Sequence, residues 1–225
     1  MKIGKQGVAA PGIPAAGLVL AGGRSRRMGR DKATLIVEGE RLLARQLRIL
    51  GEAGAAELWV SLGADGFTPE QEGLGGKIRV VRDRVSDAGP LEGLGQVLDR
   101  TSASRLLVLA VDLPALDAGF LRRMLERSRM GIGVVPVTPG GPEPLCAVYP
   151  VGPARATVSG WGGRGEQSPR RLVVDGVAEG WMEEWRLDPA DEVGLINWNA
   201  PGDWRGFEGA SVKGLSSLPT GDRTD

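Results

Sequence analysis

The chain has 225 residues, of which 41% are hydrophobic and 25% are charged, enough apolar material for one core at the upper end of single-domain size. It contains no histidine, which excludes Ser-His-Asp and Cys-His catalysis and leaves no histidine ligand for zinc. A formal net charge of zero gives no reason to expect a nucleic-acid partner, and no apolar run is long enough to cross a membrane.

The two ends of the sequence differ in composition from the part between them. Residues 1–14 combine lysines with small residues and are typical of a flexible extension. Residues 208–225 are dominated by Gly, Ser, Pro, Thr and Asp, which predicts a disordered tail and leaves a folded domain over 15–207. The single cysteine, Cys146, cannot form an internal disulfide, which fits a reducing compartment and favours a cytoplasmic location.

Short apolar runs without polar alternation mark the predicted strands, as expected for a parallel sheet that is buried on both faces. In chain order the predicted strands are 17–20, 57–62, 77–81, 105–111 and 132–137, followed by a last strand at 195–199. Beyond Pro139 the pattern loosens, and residues 160–169, rich in glycine and charge, are predicted to form a mobile loop.

Helical patterns separate these strands. Leucines recur at helical spacing between residues 42 and 50, with arginines on the other face, so an amphipathic helix is expected to end at Gly51 or Gly54. Further helices are predicted to begin near residue 93, after a Gly89-Pro90 turn, and to span 120–127. This alternation predicts a three-layer α/β/α, Rossmann-like fold with a mostly parallel sheet.

Three features follow predicted strands at the edge where open parallel sheets bind ligands. Gly22 and Gly23 follow the first strand, Asp83 follows the third and Asp112 follows the fourth. Each has an ordinary structural explanation as a turn, a solvated loop charge or a helix cap. Their convergence on one edge favours a ligand site over three coincidences.

Two adjacent glycines would let backbone amides approach an anion closely. The segment that follows carries a cluster of cations: Arg24, Arg26, Arg27, Arg30 and Lys32. Planar guanidinium groups suit phosphate oxygens, although such a cluster is also typical of a solvated surface. The spacing matches neither the Walker P-loop nor the dinucleotide fingerprint, so the loop is expected to bind a polyphosphate in another class of enzyme.

Five segments, in order, resemble the molybdenum cofactor guanylyltransferase family. They are LAGGRSRRMGRDKA (20–33), VRD with SDAGPLEGL (81–94), VDLP (111–114), EPLCAVYP (143–150) and INWNAPGDW (196–204). The first segment is specific to nucleotidyltransferases, and the order of the others adds weight. The resemblance covers about 15–204 and implies transfer of GMP from GTP to the phosphate of molybdopterin, or its molybdenum form, with release of pyrophosphate.

The resemblance also implies roles for individual residues. Leu20, Ala21, Gly22 and Gly23 would hold the nucleotide, Asp83 would contact the nucleoside, and the catalytic candidates are Lys32 on the phosphates and Asp112 on Mg²⁺. Further candidates for the nucleotide are Arg27 and Ser61, which stands where the family commonly has a nucleotide-contacting asparagine. Apart from the resemblance, Arg170 and Arg171 lie in a basic segment that could engage the acceptor, although such a segment is equally typical of a solvated surface loop.

Related activities stay open at this point. They are transfer with another base or acceptor, as in molybdopterin cytidylyltransferases or phospho-acid guanylyltransferases, and nucleotide binding without catalysis. Cytidylyltransferases usually read Leu-Ala-Ala-Gly in the first loop, so Gly22 favours GTP. The implied partners are GTP and molybdopterin, together with molybdenum-insertion or molybdoenzyme proteins.

Overall fold

The computed structural model describes residues 15–22, 35–64, 78–84, 88–162, 167–196 and 212–213. Within these residues the main sheet has eight strands: β1 (Ala15–Leu20), β4 (Glu57–Leu62), β5 (Ile78–Arg82), β6 (Arg105–Ala110), β7 (Gly133–Thr138), β8 (Gly141–Pro142), β9 (Cys146–Pro150) and β10 (Met182–Arg186). A small second sheet contains β2 (Ile36–Val37), β3 (Glu40–Arg41) and β11 (Val212–Lys213). The helices are α1 (Leu42–Ala53), α2 (Pro90–Arg100), α3 (Ala118–Arg127), α4 (Val151–Gly160), α5 (Pro169–Ala178) and α6 (Pro189–Glu192).

The strand order β10-β7-β9-β6-β1-β4-β5 places β1 near the centre of the main sheet. β5, β4, β1 and β6 are mutually parallel, whereas β9 runs antiparallel to β6 and β7. The chain goes from β1 outwards to β4 and β5, and α2 then carries it back to β6 on the other side of β1. The direction of winding therefore reverses between β1 and β6, the position at which such sheets bind ligands.

Apolar side chains cover both faces of the sheet, which confirms the predicted three layers. One core cluster packs α1 and α3 against the sheet, through residues such as Leu47 and Leu121. The other packs α2, α4 and α5 against the opposite face, through residues such as Leu94, Ala154 and Leu172. Of the helices in the described ranges, none is long and apolar enough to cross a membrane.

The predicted elements up to residue 138 are confirmed, with ends shifted by a few residues. α1 ends where the glycine pattern suggested, because Gly54 adopts φ 111° and donates its N–H back to Gly51 and Leu50. The strand predicted at 195–199 is wrong for its first two residues. Leu195 closes a 3₁₀ turn (Val193–Leu195), and Ile196 donates its N–H to Val193 O across 3.4 Å.

The structure describes only parts of the segments predicted to be mobile or disordered. In 160–169, Gly160 ends α4 and Ser168 caps α5 by accepting a hydrogen bond from the Arg171 N–H, while 163–166 lie outside the described residues. Of the predicted tail, only Val212–Lys213 is described, and it pairs with β2. The predicted extension, 1–14, lies wholly outside the described residues.

Two helical glycines offer a matched test of packing on the α2–α4–α5 face. A Cβ on Gly176 of α5 would lie 2.6 Å from the Trp181 ring, whereas a Cβ on Gly152 of α4 meets nothing within 4 Å. Gly176→Ala is therefore expected to lower the free energy of unfolding by about 1–3 kcal/mol through overpacking, despite the better helix propensity of alanine. Gly152→Ala should leave it unchanged or raise it by up to about 1 kcal/mol. Urea unfolding of both variants measures the difference, and equal values would contradict this packing.

Candidate functional site

The end of β1 is joined to both neighbouring strands by backbone hydrogen bonds. Leu20 accepts a bond from the Val111 N–H (3.1 Å), and the Ala21 N–H donates to Ser61 O (2.9 Å). Asp112 directly follows Val111, so it begins the loop that leaves β6 beside the end of β1. The backbone of this edge is therefore fixed up to the first residue of the glycine loop.

Gly22 lies against the ends of β4 and β5. A Cβ at this position would be 2.9 Å from the Gly63 nitrogen, 3.1 Å from the Leu62 carbonyl carbon and 3.4 Å from Asp83 Oδ2. Asp83 is held there by its own N–H, which donates to Leu62 O (3.0 Å). The expected convergence of Gly22, Asp83 and Asp112 on one sheet edge is confirmed, while their roles in binding stay predictions.

The Asp83 carboxyl is in a partly desolvated position. Burial raises its pKa, and the nearby Glu92 carboxylate on α2 raises the pKa further. Glu92 itself is paired with Arg84, at 3.0 Å between Nε and Oε1. A hydrogen-bond donor that a ligand brings to Asp83 would favour its ionised form, which suits a side chain that contacts a nucleoside.

Ser61 is almost completely buried within β4, at 3% exposure. Its side chain faces the first turns of α2, where a Cβ on Gly93 would overlap the Ser61 hydroxyl. Gly93 therefore lets α2 pack directly on β4. The Ser61 carbonyl supports Ala21, and a contact from its hydroxyl to a nucleotide stays a prediction.

A second group of polar side chains adjoins Asp112 on the β7–β8 side. The Thr138 hydroxyl donates to Glu143 Oε1 (3.3 Å), and an Arg170 guanidinium N–H donates to Gly140 O (3.5 Å). Burial raises the pKa of the Glu143 carboxyl, the Thr138 hydrogen bond and the Arg170 charge lower it, and the Asp112 charge raises it. The charges of Asp112 and Arg170 therefore shift the pKa of Glu143 in opposite directions.

The two arginines predicted to bind the acceptor have different surroundings. Arg170 reaches the β7–β8 turn, where its guanidinium would lie 2.7 Å from a Cβ on Gly141. Arg171 instead pairs with Asp175 one turn further along α5, at 2.6 Å. Of the two arginines, only Arg170 contacts the β7–β8 turn. Gly23, Arg27 and Lys32 lie outside the described residues, so their roles stay predictions.

Glu143 is a candidate that sequence reasoning missed. It stands at the head of the EPLCAVYP segment, and pairing of the β9 strand with β6 places it near Asp112. The Ala110 N–H donates to Leu145 O (2.7 Å), which fixes the approach of the two segments. The signal in the sequence was an acidic residue two positions before the apolar run 145–149.

The carboxylates at this edge suit a hard divalent cation. Among the described residues there is no group of three or more His, Cys, Asp or Glu side chains that could hold a metal ion. Mg²⁺ needs no such group, because it keeps several waters and takes one or two carboxylates together with substrate phosphates. Asp112, with substrate phosphates and waters as the other ligands, fits that donor set.

The model of the MobA-like NTP transferase domain matches residues 17–177. A probable molybdenum cofactor guanylyltransferase of Opitutus terrae is 40% identical over 191 residues, which cover 84% of this chain and 92% of that protein. A probable molybdenum cofactor guanylyltransferase of Synechococcus elongatus is 31% identical, covering 86% of this chain and 97% of that protein.

Solved structures share the fold. A nucleotidyl transferase from Methanothermobacter aligns with a TM-score of 0.67 at 18% identity, covering 86% of this chain and 95% of that one. A molybdopterin-guanine dinucleotide biosynthesis protein A from Archaeoglobus fulgidus aligns with a TM-score of 0.60 at 18% identity, covering 84% and 94%. At these identities the likeness concerns the fold alone.

Proposed function

This chain belongs to the molybdenum cofactor guanylyltransferase family of MobA-like NTP transferases, and we propose that it transfers GMP from GTP to the phosphate of molybdopterin, or its molybdenum form, with release of pyrophosphate. The observation that carries the proposal is the shared edge of Gly22, Asp83 and Asp112 at the reversal point of the sheet. The names of the relatives support the choice of base and acceptor.

The reaction forms one P–O bond and breaks another. An oxygen of the acceptor phosphate attacks the α-phosphorus of GTP, and the bond from that phosphorus to the bridging oxygen of the β-phosphate breaks, so that pyrophosphate leaves. A phosphate monoester is already ionised near neutral pH, so the step needs no general base. A chain without histidine can therefore perform it by positioning the reactants and neutralising charge.

The nucleotide would lie across the end of β1. The absence of a side chain at Gly22 lets the end of β1 lie close against the ends of β4 and β5, beside Asp83. Backbone N–H groups at this end of β1 would bind the phosphates, and Asp83 would accept hydrogen bonds from the nucleoside. We propose that Leu20, Ala21 and Gly23 contribute to the same cradle. Lys32 and Arg27 would supply positive charge to the phosphates.

Asp112 would hold Mg²⁺ at the start of the loop after β6. When bound, Mg²⁺ neutralises negative charge on the phosphates. The chain's own part is to keep Asp112 beside Gly22, which the bond from Val111 to Leu20 does. We further propose that the protein works in the cytoplasm, where a buried free thiol such as Cys146 stays reduced.

A direct assay tests the choice of nucleotide. The purified chain is incubated with molybdopterin, Mg²⁺ and α-³²P-labelled GTP or CTP, and the labelled dinucleotide product is separated from the triphosphate. We expect product from GTP and little from CTP, with ATP as a further comparison. Thermal-shift measurements with each nucleotide give the matching order of affinity, because a ligand stabilises the native state by the logarithm of its concentration over its Kd. A preference for CTP in both experiments would reject the guanylyl assignment.

Arg170 is proposed to bind the acceptor phosphate. Arg170→Ala is expected to raise the KM for molybdopterin about 10- to 100-fold, the equivalent of one hydrogen bond to a charged group, and to leave the KM for GTP near its wild-type value. Arg171→Ala should have a smaller effect, because Arg171 pairs with Asp175. Arg129→Ala removes the same charge beyond the far end of β7 and serves as the control. Equal KM values for molybdopterin in the Arg170→Ala and Arg129→Ala variants would contradict the assignment of Arg170 to the acceptor phosphate.

A further inference from the structure

Two glutamines are among the few polar side chains buried in the described residues. The buried polar and charged residues are Gln46, Ser61, Gln96, Thr101, Arg105 and Ser128. Gln46 is 0% exposed and Gln96 is 4% exposed, although each side chain carries a full amide. Burying an amide costs free energy unless its donors and its acceptor are hydrogen-bonded, so the partners of these two side chains are informative. The Gln46 Oε1 has no hydrogen-bond partner among the described residues, so its Nε2 makes all of the side chain's hydrogen bonds.

Gln46 extends from α1 to the loop that contains Asp112. Its Nε2 donates to Leu113 O at 2.8 Å and makes a longer contact with Val111 O at 3.5 Å. These are the carbonyl groups immediately after and before Asp112. The preceding residue of α1, Arg45, donates to Leu116 O at 2.9 Å and so fixes the same loop further along.

Gln96 holds the backbone next to Asp83 in the same way, from the opposite face of the sheet. It extends from α2, and its Nε2 donates to Arg82 O at 2.7 Å, the carbonyl immediately before Asp83. Its Oε1 accepts a hydrogen bond from Arg100 at 2.6 Å, and its Nε2 also contacts Glu92 at 3.2 Å. The Gln96 amide is therefore itself held in one orientation.

Both hydrogen bonds act where the chain leaves the sheet. Beyond Ala110 of β6 and Arg82 of β5, the Val111 and Asp83 N–H groups still donate to the neighbouring strands. The carbonyl groups of Leu113 and Arg82 accept their hydrogen bonds from the two glutamine side chains. A small shift of either carbonyl would move the aspartate next to it. The two amides thus fix the backbone that carries Asp112 and Asp83.

We propose that Gln46 and Gln96 are positioning residues: Gln46 holds Asp112 for Mg²⁺, and Gln96 holds Asp83 for the nucleoside. This inference rests on the proposed function. Because the two glutamines come from helices on opposite faces, their effects should be separable. Partners that orient a metal ligand typically change metal affinity or activity by about 10- to 100-fold when they are removed.

The test uses Gln46→Met and Gln96→Met, which keep the length and approximate volume of the side chain but remove its donor. Pyrophosphate release gives the Mg²⁺ concentration for half-maximal rate at saturating GTP, and the KM for GTP at saturating Mg²⁺. We expect Gln46→Met to raise the Mg²⁺ value about tenfold or more with little change in the KM for GTP. We expect Gln96→Met to raise the KM for GTP, with little change in the Mg²⁺ concentration for half-maximal rate.

Thr101→Val is the matched control. It removes a buried hydroxyl that donates to Glu57 at 3.2 Å, at the opposite end of the sheet just before β6. It should lower the Tm without changing either kinetic constant. Gln46→Asn and Gln96→Asn, which keep the donor on a shorter side chain, replace the methionine variants if those do not fold, and smaller shifts with the same pattern are expected.

The outcomes separate this inference from the proposed function. If the glutamine variants lower only the Tm, as the control does, or change both constants alike, the positioning role is wrong. If the wild-type chain neither requires Mg²⁺ nor uses GTP, the proposed function fails instead. A Mg²⁺ effect confined to Gln46 and a GTP effect confined to Gln96 would support both.

Discussion

Asp112→Asn is expected to lower kcat by about 10²- to 10³-fold, the scale for losing one preorganised electrostatic group. The substitution keeps the shape of the side chain and removes its charge, so Mg²⁺ would lose its anionic ligand beside the phosphates. Asp112 is only half-buried, and its backbone is held by Gln46, so the fold should tolerate the change. Pyrophosphate release at saturating GTP and Mg²⁺ measures the loss.

The control for this prediction is Asp99→Asn. Asp99 lies near the end of α2 with its side chain 63% exposed, and its nearest cation is Arg155 at 3.9 Å. This variant makes the same chemical change far from the end of β1 and should keep the wild-type kcat. A wild-type rate in Asp112→Asn, measured on protein with a wild-type Tm, would remove Asp112 from the catalytic site.

The strands that build the site could be predicted from sequence because they are buried on both faces. β1, β4 and β6 are mainly apolar, and each is followed within two residues by a glycine or an aspartate, so both their positions and their carboxyl ends were visible. Parallel pairing then brings those ends to one edge without further information. The family resemblance drawn from the motifs at this edge is confirmed by the match over residues 17–177.

The elements after Pro139 were missed because their local sequence does not show which strands they pair with. β9 is short and bounded by Pro144 and Pro150, and it becomes a central strand only through antiparallel pairing with β6 and β7. β10 contains two adjacent exposed glutamates, Glu183 and Glu184, and is fixed by its pairing with β7. Non-local pairing decides both strands, and no periodicity within the segment reports it.

The residues around the aspartates were hidden for a similar reason. Gln46 bonds a carbonyl 67 residues away in the chain, and in sequence it is an ordinary polar position of an amphipathic helix. Glu143 approaches Asp112 because β9 returns alongside β6. Sequence motifs thus indicated the groups expected to touch the ligands, whereas the groups that hold them follow from tertiary contacts.

Gly22→Ala is expected to have the second large effect, because the new methyl group would meet backbone rather than a flexible side chain. Its Cβ would lie 2.9 Å from the Gly63 nitrogen and 3.1 Å from the Leu62 carbonyl carbon, in a strand that is bonded on both sides. Relief requires the end of β1 to move away from β4, at a cost of about 1–3 kcal/mol of stability. That movement also shifts the amides proposed to bind the phosphates.

We therefore expect Gly22→Ala to lower kcat/KM for GTP at least about tenfold, which corresponds to about 1.4 kcal/mol of lost transition-state stabilisation. The matched control is Gly63→Ala, on the neighbouring strand end, where a Cβ meets nothing within 4 Å and a much smaller change is expected. Because Gly22 is the position at which cytidylyltransferases usually carry alanine, the ratio of CTP to GTP turnover should rise in the variant as GTP turnover falls. Wild-type kinetics with GTP, together with an unchanged Tm, would show that this glycine neither packs against β4 nor shapes the nucleotide site.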